Sequence, residues 1–394
     1  MKVKISSFRS YLHEKAKLNK ETKEFLNSIE EELQANLKPA PLDDYDCDLK
    51  LIFIESGGSE GLFLENFNKL REPFYFLTNG SNNSLAASLE ILTYLNNHNL
   101  HGEIIHGDVK YIASRIIELC VLDNVKKVLK ETRLGVIGKP SDWLISSIPS
   151  YQKVKEKLGV ELVDVPLDEI NNNYLKVDFS TLNFKLEDFD KNELNKAKSI
   201  ALALDRVKTK YRLNGFTLRC FDLIKSLHST GCLALAIFNN YYITATCEGD
   251  IMAMLSMHIA GLVSDDFVFQ ANPARIDTKT NKIVFAHCTI PFGMLKKYKF
   301  ETHFESNSAV AIKGYLKEQD VTVFRMSSDL KHYFVSEGKI LRNLEEADLC
   351  RTQIEVEMEC DVKELLTNPC GNHHIIFYGR YKNIIDSLMK ELLK

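Results

Sequence analysis

Between residues 8 and 37, Phe8, Leu12, Leu18, Phe25, Ile29 and Leu33 recur at roughly helical spacing with charge between them, which predicts a helix. Residues 48–55 (DLKLIFIE) form a short apolar run that predicts a buried strand, followed by a Ser-Gly-Gly turn at 56–58. A second run at 74–77 leads into the polar NGSNNS at 79–84, and 85–95 then reads as a helix with Leu85, Leu89, Leu92 and Leu95 on one face. Ser81 to Ser84 offer N-cap chemistry for that helix. Strand, polar turn and helix recur through 102–106 and 111–129. Alternation of this kind predicts a parallel sheet covered on both faces.

A fresh strand at 133–137 (RLGVI) follows a charged stretch, and a domain boundary is placed there. Further βα units follow at 134–158 and 161–165, then a charged helix at 186–208 and strands at 216–221 and 243–246, with 233–238 readable as either helix or strand. Beyond about His287 the pattern changes. The segments 298–305, 309–316, 321–326, 333–340 and 352–360 are short, β-rich and separated by turn residues, before a last helix at 382–394. The expected fold is therefore α/β: two doubly wound parallel-sheet domains, 1–132 and 133–285, followed by a smaller, mostly antiparallel β barrel-like domain with a terminal helix, 286–394.

Charge adds one exclusion. With 50 basic and 54 acidic residues the formal net charge is -4, which gives no reason to expect nucleic acid or an anionic membrane as partner. The nine cysteines are scattered with no Cys-x-x-Cys pair, so neither a zinc knuckle nor a dithiol redox site is indicated. Residues 1–20 lack the apolar core of a signal peptide, and no stretch approaches the roughly 18 apolar residues of a membrane span. A reducing cytoplasm is the expected compartment.

Four segments carry candidate chemistry. TATCEGD (244–250) is β-rich and ends in Glu248, Gly249 and Asp250 ahead of a helical run. Carboxylates at the C-terminal end of a strand stand where α/β folds bind ligands, although Asp250 also suits a plain helix cap. FVFQANPARID (267–277) reads as a strand entering a polar loop, with Pro273 ending the ladder. Its Asn272 follows Glu248 by 24 positions, and one βαβ step of that length would bring both to the same sheet edge. FAHCTIP (285–291) and THFE (302–305) each place a histidine, His287 and His303, on an apolar, β-like segment, where a lone histidine is usually a core residue, and the second ends in Glu305. NPCGNHHIIFYG (368–379) holds His373 and His374, and adjacent strand residues face opposite sides, so at most one of the two is expected to face a pocket. Imidazole and carboxylate ligands together suit manganese, zinc or iron.

Several blocks resemble the L-fucose isomerase and L-arabinose isomerase family: NNSLAASLEIL, RLGVIGKPSDWLISS, TLRCFDL, TCEGDIMAML, AHCTIP, HFES and GNHHIIFYG, spread from about residue 48 onward. The resemblance implies two α/β domains and a β-rich third, a monosaccharide substrate, a homo-oligomer, and a divalent metal, usually Mn2+. It implies aldose–ketose isomerisation through a cis-enediol, with Glu248 as metal ligand and base. The C-terminal ligand falls on His373 by one alignment and on His374 by the other. The second carboxylate of the family falls on Asn272, whose amide oxygen can ligate a metal but takes no proton as a base. Asp250, Glu305 or a water is then left for the second base. Arg219 is a candidate for a sugar hydroxyl, His287 and Glu305 line up beside it as substrate contacts, and Trp143, the sole Trp, either stacks on a pyranose or fills core. The Asn at 272 makes a sugar-binding or regulatory relative the alternative to a catalyst.

Overall fold

This computed structural model describes residues 1–11, 15–175 and 189–394, apart from the side chains of 15–18. The chain divides into two compact units, Met1–Asn124 and Val125–Lys394.

The first unit is built on β1 (Val3–Phe8), α1 (Lys15–Leu33), β2 (Leu37–Pro39), β3 (Leu49–Ile54), α2 (Glu60–Glu65), β4 (Phe74–Leu77), α3 (Ser84–Asn97) and β5 (Gly102–Ile105). A long helix, α4 (Val109–Glu131), follows and runs across the division. The strands form one parallel sheet in the order β2-β1-β3-β4-β5, so the winding reverses at β1. Every residue of β3 is buried, as expected of a central parallel strand read from a continuous apolar run.

Two local expectations need correction here. The segment opening at Phe8 is not helix: Val3–Phe8 is a strand, and the helix runs only over Lys15–Leu33. The strand is easy to miss because its six residues hold two serines, yet pairing on both sides buries it. Leu12, and the side chain of Leu18, lie outside the described residues. In α3 the buried face is Ser84, Ala87, Ser88, Ile91 and Leu95, while Leu89 is 53% exposed. Small residues let the helix lie close on the sheet, which turns its leucines sideways. Its N-cap is Asn83, in the left-handed region and without a side-chain cap bond, so the cap chemistry expected of Ser81 to Ser84 is not used.

The second unit opens with β6 (Arg133–Ile137), α5 (Tyr151–Leu158), β7 (Glu161–Val165), α6 (Asp168–Asn173), α7 (Lys191–Tyr211), β8 (Gly215–Leu218), α8 (Asp222–Leu227), α9 (Cys232–Asn240) and β9 (Ala245–Cys247). Residues 186–188 of the expected charged helix lie outside the described residues. The four strands form a parallel sheet ordered β7-β6-β8-β9, again reversing at its first strand. After α10 (Ile251–Ser264) the chain becomes β-rich: β10 (Val268–Asp277), β11 (Lys282–His287), β12 (Leu295–Glu301), β13 (Ala311–Leu316), β14 (Asp320–Met326), β15 (Tyr333–Asn343), β16 (Thr352–Met358), α11 (Glu364–Thr367), β17 (His374–Tyr378) and α12 (Lys382–Leu392). Six of these strands close an antiparallel barrel in the order β10-β11-β16-β15-β14-β17. Closure removes the exposed edges an open sheet would leave. Its interior holds Phe269, Phe285, Val323, Ile354, Val356 and Ile376.

The expected end of the ladder at Pro273 is not observed. β10 continues to Asp277, and the proline is accommodated by a register shift between Pro273 and Arg275 against β11. A bulge is one of the few places where a strand tolerates proline. β10 also belongs to the barrel rather than to the parallel sheet, so Asn272 is not reached by a βαβ step from Glu248.

Helix α10 joins the two architectures. It packs against β8 and β9 on one side and β10, β14 and β17 on the other, which explains why it is apolar nearly all round. Its one imidazole, His258, sits between the hydroxyls of Thr244 (3.0 Å) and Thr132 (3.2 Å). Burial pushes that ring down to about 4 from 6.5. A histidine whose folded value is depressed stabilises the fold fully above its unfolded value and loses that contribution as pH falls through the folded one. Acidification from pH 6.5 to 4 is therefore expected to cost roughly 3 kcal/mol through this residue. Urea titrations of wild type and His258→Gln across that range test it, because the variant should lose this part of the pH slope.

Among the described residues no helix is long and apolar enough to cross a membrane, and all nine cysteines are free thiols.

Candidate metal centre

The C-terminal edge of the second sheet is where β6, β8 and β9 release their loops. Beyond β9 the backbone turns through two successive left-handed residues, Glu248 (φ 66°) and Gly249 (φ 72°), before Asp250 starts α10. The turn is fixed on both sides: Gly249 N–H donates to the Leu218 carbonyl (3.0 Å), and Ser141 N–H donates to the Glu248 carbonyl (2.9 Å). A Cβ at 249 would come within 2.7 Å of Pro140 Cα and strike the Lys139 carbonyl. Gly249→Ala is thus expected to destabilise the fold by about 2–3 kcal/mol, and to displace the neighbouring carboxylate. Thermal denaturation with parallel metal analysis would show both effects; an unchanged melting temperature would count against this reading of the turn.

The turn delivers Glu248 to a small buried cluster with His287 and His373. One ligating atom from each of the three lies within 4.8 Å of the others. Glu248 Oε1 is 3.4 Å from His373 Nε2 and 4.0 Å from His287 Nε2. Its other oxygen accepts the indole N–H of Trp143 at 2.6 Å. His287, at the end of β11, has Nδ1 on the Thr289 hydroxyl (3.1 Å), which turns Nε2 toward the carboxylate. His373, just before β17, has Nδ1 2.8 Å from Asp250 Oδ2, which does the same for its own Nε2.

Asp250 is fully buried and fully engaged. One oxygen accepts the Ala253 N–H and caps α10, while the other meets His373 and the Arg325 guanidinium (3.0 Å). Arg325 is itself fully buried and donates also to Ser147 (2.9 Å). Two carboxylates, two imidazoles and a guanidinium therefore share one buried site. Burial alone would push the Glu248 carboxyl up, but attraction to His373 and His287 and the Trp143 bond outweigh it and hold it at about 2. Burial would likewise lower His373, and Glu248 with Asp250 instead raise it to about 9. Burial and the His373 charge push His287 down to about 3.

These residues fit a divalent first-row ion. His373 Nε2 and Asn272 Oδ1 are buried without a hydrogen-bond partner, a costly state that an ion would relieve. Asn272 follows Ala271 and His373 precedes His374, and Ala271 pairs with His374, so both orphaned atoms belong to one end of the β10–β17 ladder. The carboxylate–imidazole donor set is of the kind that takes manganese, iron or zinc. The bond from Asp250 to the far nitrogen of His373 is the support that metal-binding histidines commonly have.

The other sequence candidates fall at different distances from this cluster. The ring of His374 faces the barrel interior instead, 5.5 Å from Phe334 and 6.1 Å from Phe285, with Nδ1 on the Asn372 carbonyl. Arg219 leaves β8 to bind the Pro140 carbonyl (2.6 Å), Asp142 and Asp222, tying the β6 and β8 loops together. Trp143 is 53% exposed and meets Phe221 edge-on at 5.3 Å, so one indole face is open. A cavity of about 490 Å³ opens beside it, lined also by Ser147, Ser327, Cys370 and Asn372, within the size range of small-molecule sites. Glu305 is exposed on the loop after β12. His287 stands within this cluster rather than beside it as a substrate contact. Only the pairing of its neighbour Ala286 with Asn272 places it there, which no local sequence signal showed.

No family model matches the chain. Among curated proteins it is similar to the sulfoquinovose isomerases of Priestia aryabhattai and of Priestia megaterium (strain ATCC 12872 / QMB1551). Each is 24% identical over 320 residues, covering 75% of this chain and 71% of the relative. The likeness is to sugar isomerases. It agrees with the resemblance in the sequence at that level, and does not single out L-fucose or L-arabinose isomerase.

Proposed function

We propose that this chain is a metal-dependent aldose–ketose isomerase that works through a cis-enediol. The observation that carries the reading is the buried Glu248–His287–His373 cluster with its orphaned His373 Nε2, at the sheet edge where α/β folds bind ligands. Similarity to named sugar isomerases supports it.

In this reading Glu248, His287 and His373 hold the ion, with the Asn272 amide oxygen as fourth donor, and Mn2+ is the first ion to test. When bound, such an ion supplies Lewis acidity toward neighbouring hydroxyl and carbonyl oxygens. Asp250 fixes the tautomer of His373, and Arg325 balances the Asp250 charge. The Trp143 indole N–H aims the Glu248 carboxylate, and its open face is suited to stacking on a sugar ring. Arg219 holds the two loops that carry Trp143 and Phe221. The substrate is a monosaccharide, with L-fucose, L-arabinose and sulfoquinovose the first to offer. A cytoplasmic homo-oligomer is the working form.

Asn272 favours a second reading, a sugar-binding relative without turnover, because an amide cannot shuttle a proton. Metal analysis of the purified protein, followed by ketose formation from those sugars with and without added Mn2+, separates the two. Bound metal with ketose formation supports the isomerase. A protein that binds sugar and stays inert with Mn2+ supplied supports the second reading.

A further inference from the structure

Moving a hydrogen between C1 and C2 requires a group that takes a proton from one carbon and returns it to the other. Asn272 cannot. Both oxygens of Asp250 are committed, and it has no exposed surface. Glu248 is committed as well, with one oxygen on the Trp143 N–H and the other turned to His373 and His287.

The loop between β12 and β13 carries another carboxylate, Glu305, and packs near the aromatic residues beside Glu248. It closes tightly, with His303 N–H donating to the Ser308 carbonyl (3.0 Å) and Asn307 N–H to the His303 carbonyl (2.9 Å). His303 is buried, and its ring stands 5.5 Å from Phe221, which in turn meets Trp143, the partner of Glu248. On the other flank Arg351 donates to the Thr302 carbonyl (2.8 Å) and lies over the Phe304 ring. The loop is thus pinned against the aromatic edge of the metal cluster. Glu305 stands two residues beyond His303, exposed, and makes no hydrogen bond or ion pair with any described residue.

We propose that Glu305 is the second proton-carrying carboxylate of the reaction, filling the role for which Asn272 is unfit; this rests on the isomerase reading above. The carboxylate removes the C2 hydrogen as a proton, and the C–H electron pair becomes the C1–C2 double bond as the aldehyde pair moves to O1. The hydroxyl proton of O2 ends on O1, and Glu305 returns its proton to C1. C2 is oxidised as C1 is reduced, so no outside oxidant or reductant enters. Burial and the negative charge of Glu248 both raise the Glu305 carboxyl from its ordinary value, the direction that makes a carboxylate a better base near neutrality.

The test uses the full chain loaded with Mn2+, with L-fucose, L-arabinose and sulfoquinovose in deuterated water. Glu305→Gln is expected to lower kcat by about 100-fold or more, and to abolish deuterium uptake at C1 of the ketose, with KM and metal content close to wild type. Glu305→Asp should recover part of the turnover. An active wild type whose Glu305→Gln variant keeps its rate and its deuterium uptake overturns this assignment alone. A slower variant that still takes up deuterium at the wild-type ratio also overturns it, since the loop would then act only by shape. A wild type inert on all three sugars overturns the isomerase reading and this assignment with it.

Discussion

Glu248→Gln is expected to purify without bound metal and to interconvert sugars two to three orders of magnitude more slowly than the wild-type chain, roughly what removal of one electrostatic stabiliser costs an enzyme. The substitution keeps the shape of the side chain and an oxygen able to accept the Trp143 N–H, so it removes charge rather than packing. That charge is the only carboxylate among the three clustered donors, and it is also one of the two that hold His373 near 9. With it gone, the histidine loses its nearest counter-charge and an ion loses its one anionic ligand. Elemental analysis with turnover measured on the same preparations decides the matter. A glutamine variant that still carries stoichiometric metal would remove Glu248 from the ligand set.

The second large effect belongs to a residue that touches no candidate ligand. Arg325→Met is expected to destabilise the second unit by about 3–5 kcal/mol, the usual consequence of stranding one partner of a buried ion pair. Arg325 and Asp250 are both inaccessible to solvent, and their 3.0 Å contact is what allows the Asp250 carboxyl to sit well below the ordinary range despite its burial. Methionine fills much of the volume but leaves the carboxylate with only His373 and the Ala253 N–H. Adding Asp250→Asn should return part of the loss, and the coupling between the two sites follows from a double-mutant cycle in urea. If the cycle shows no coupling between the two sites, the pair is not the support described here. Weaker metal retention in the Arg325 variant is expected as well, since Asp250 is what orients His373.

Much of this arrangement is written locally in the sequence. The strand and helix alternation from β3 onward follows from short apolar runs and polar turns, whereas β1 and β2 were not legible, and the barrel follows from short strands with frequent turn residues. Strand alternation made it legible that His373 and His374 face opposite ways, though not which of them meets Glu248. The structure puts one in the cluster and the other among Phe285 and Phe334. Other features depend on pairing that no local pattern encodes. Nothing in FVFQANPARID says that β10 joins a barrel and carries Pro273 through a bulge rather than ending there. His287 looked like any histidine on an apolar strand until β11 was paired with β10. Arg325 gave no signal at all, since an arginine among the alternating residues of β14 reads as an outward-facing one.

The double left-handed turn at Glu248 and Gly249 makes this position legible in evolutionary time. Glycine adopts that conformation freely and asparagine does so readily, whereas glutamate is held there at a cost of about 1 kcal/mol or more. A lineage with no use for the carboxylate would gain stability by a glycine or asparagine at 248, as it would at other left-handed positions of the unit such as Tyr242 and Leu330. Relatives that keep a glutamate at 248 against that gradient are therefore expected to be the ones that bind metal, and relatives with glycine or asparagine there the ones that do not.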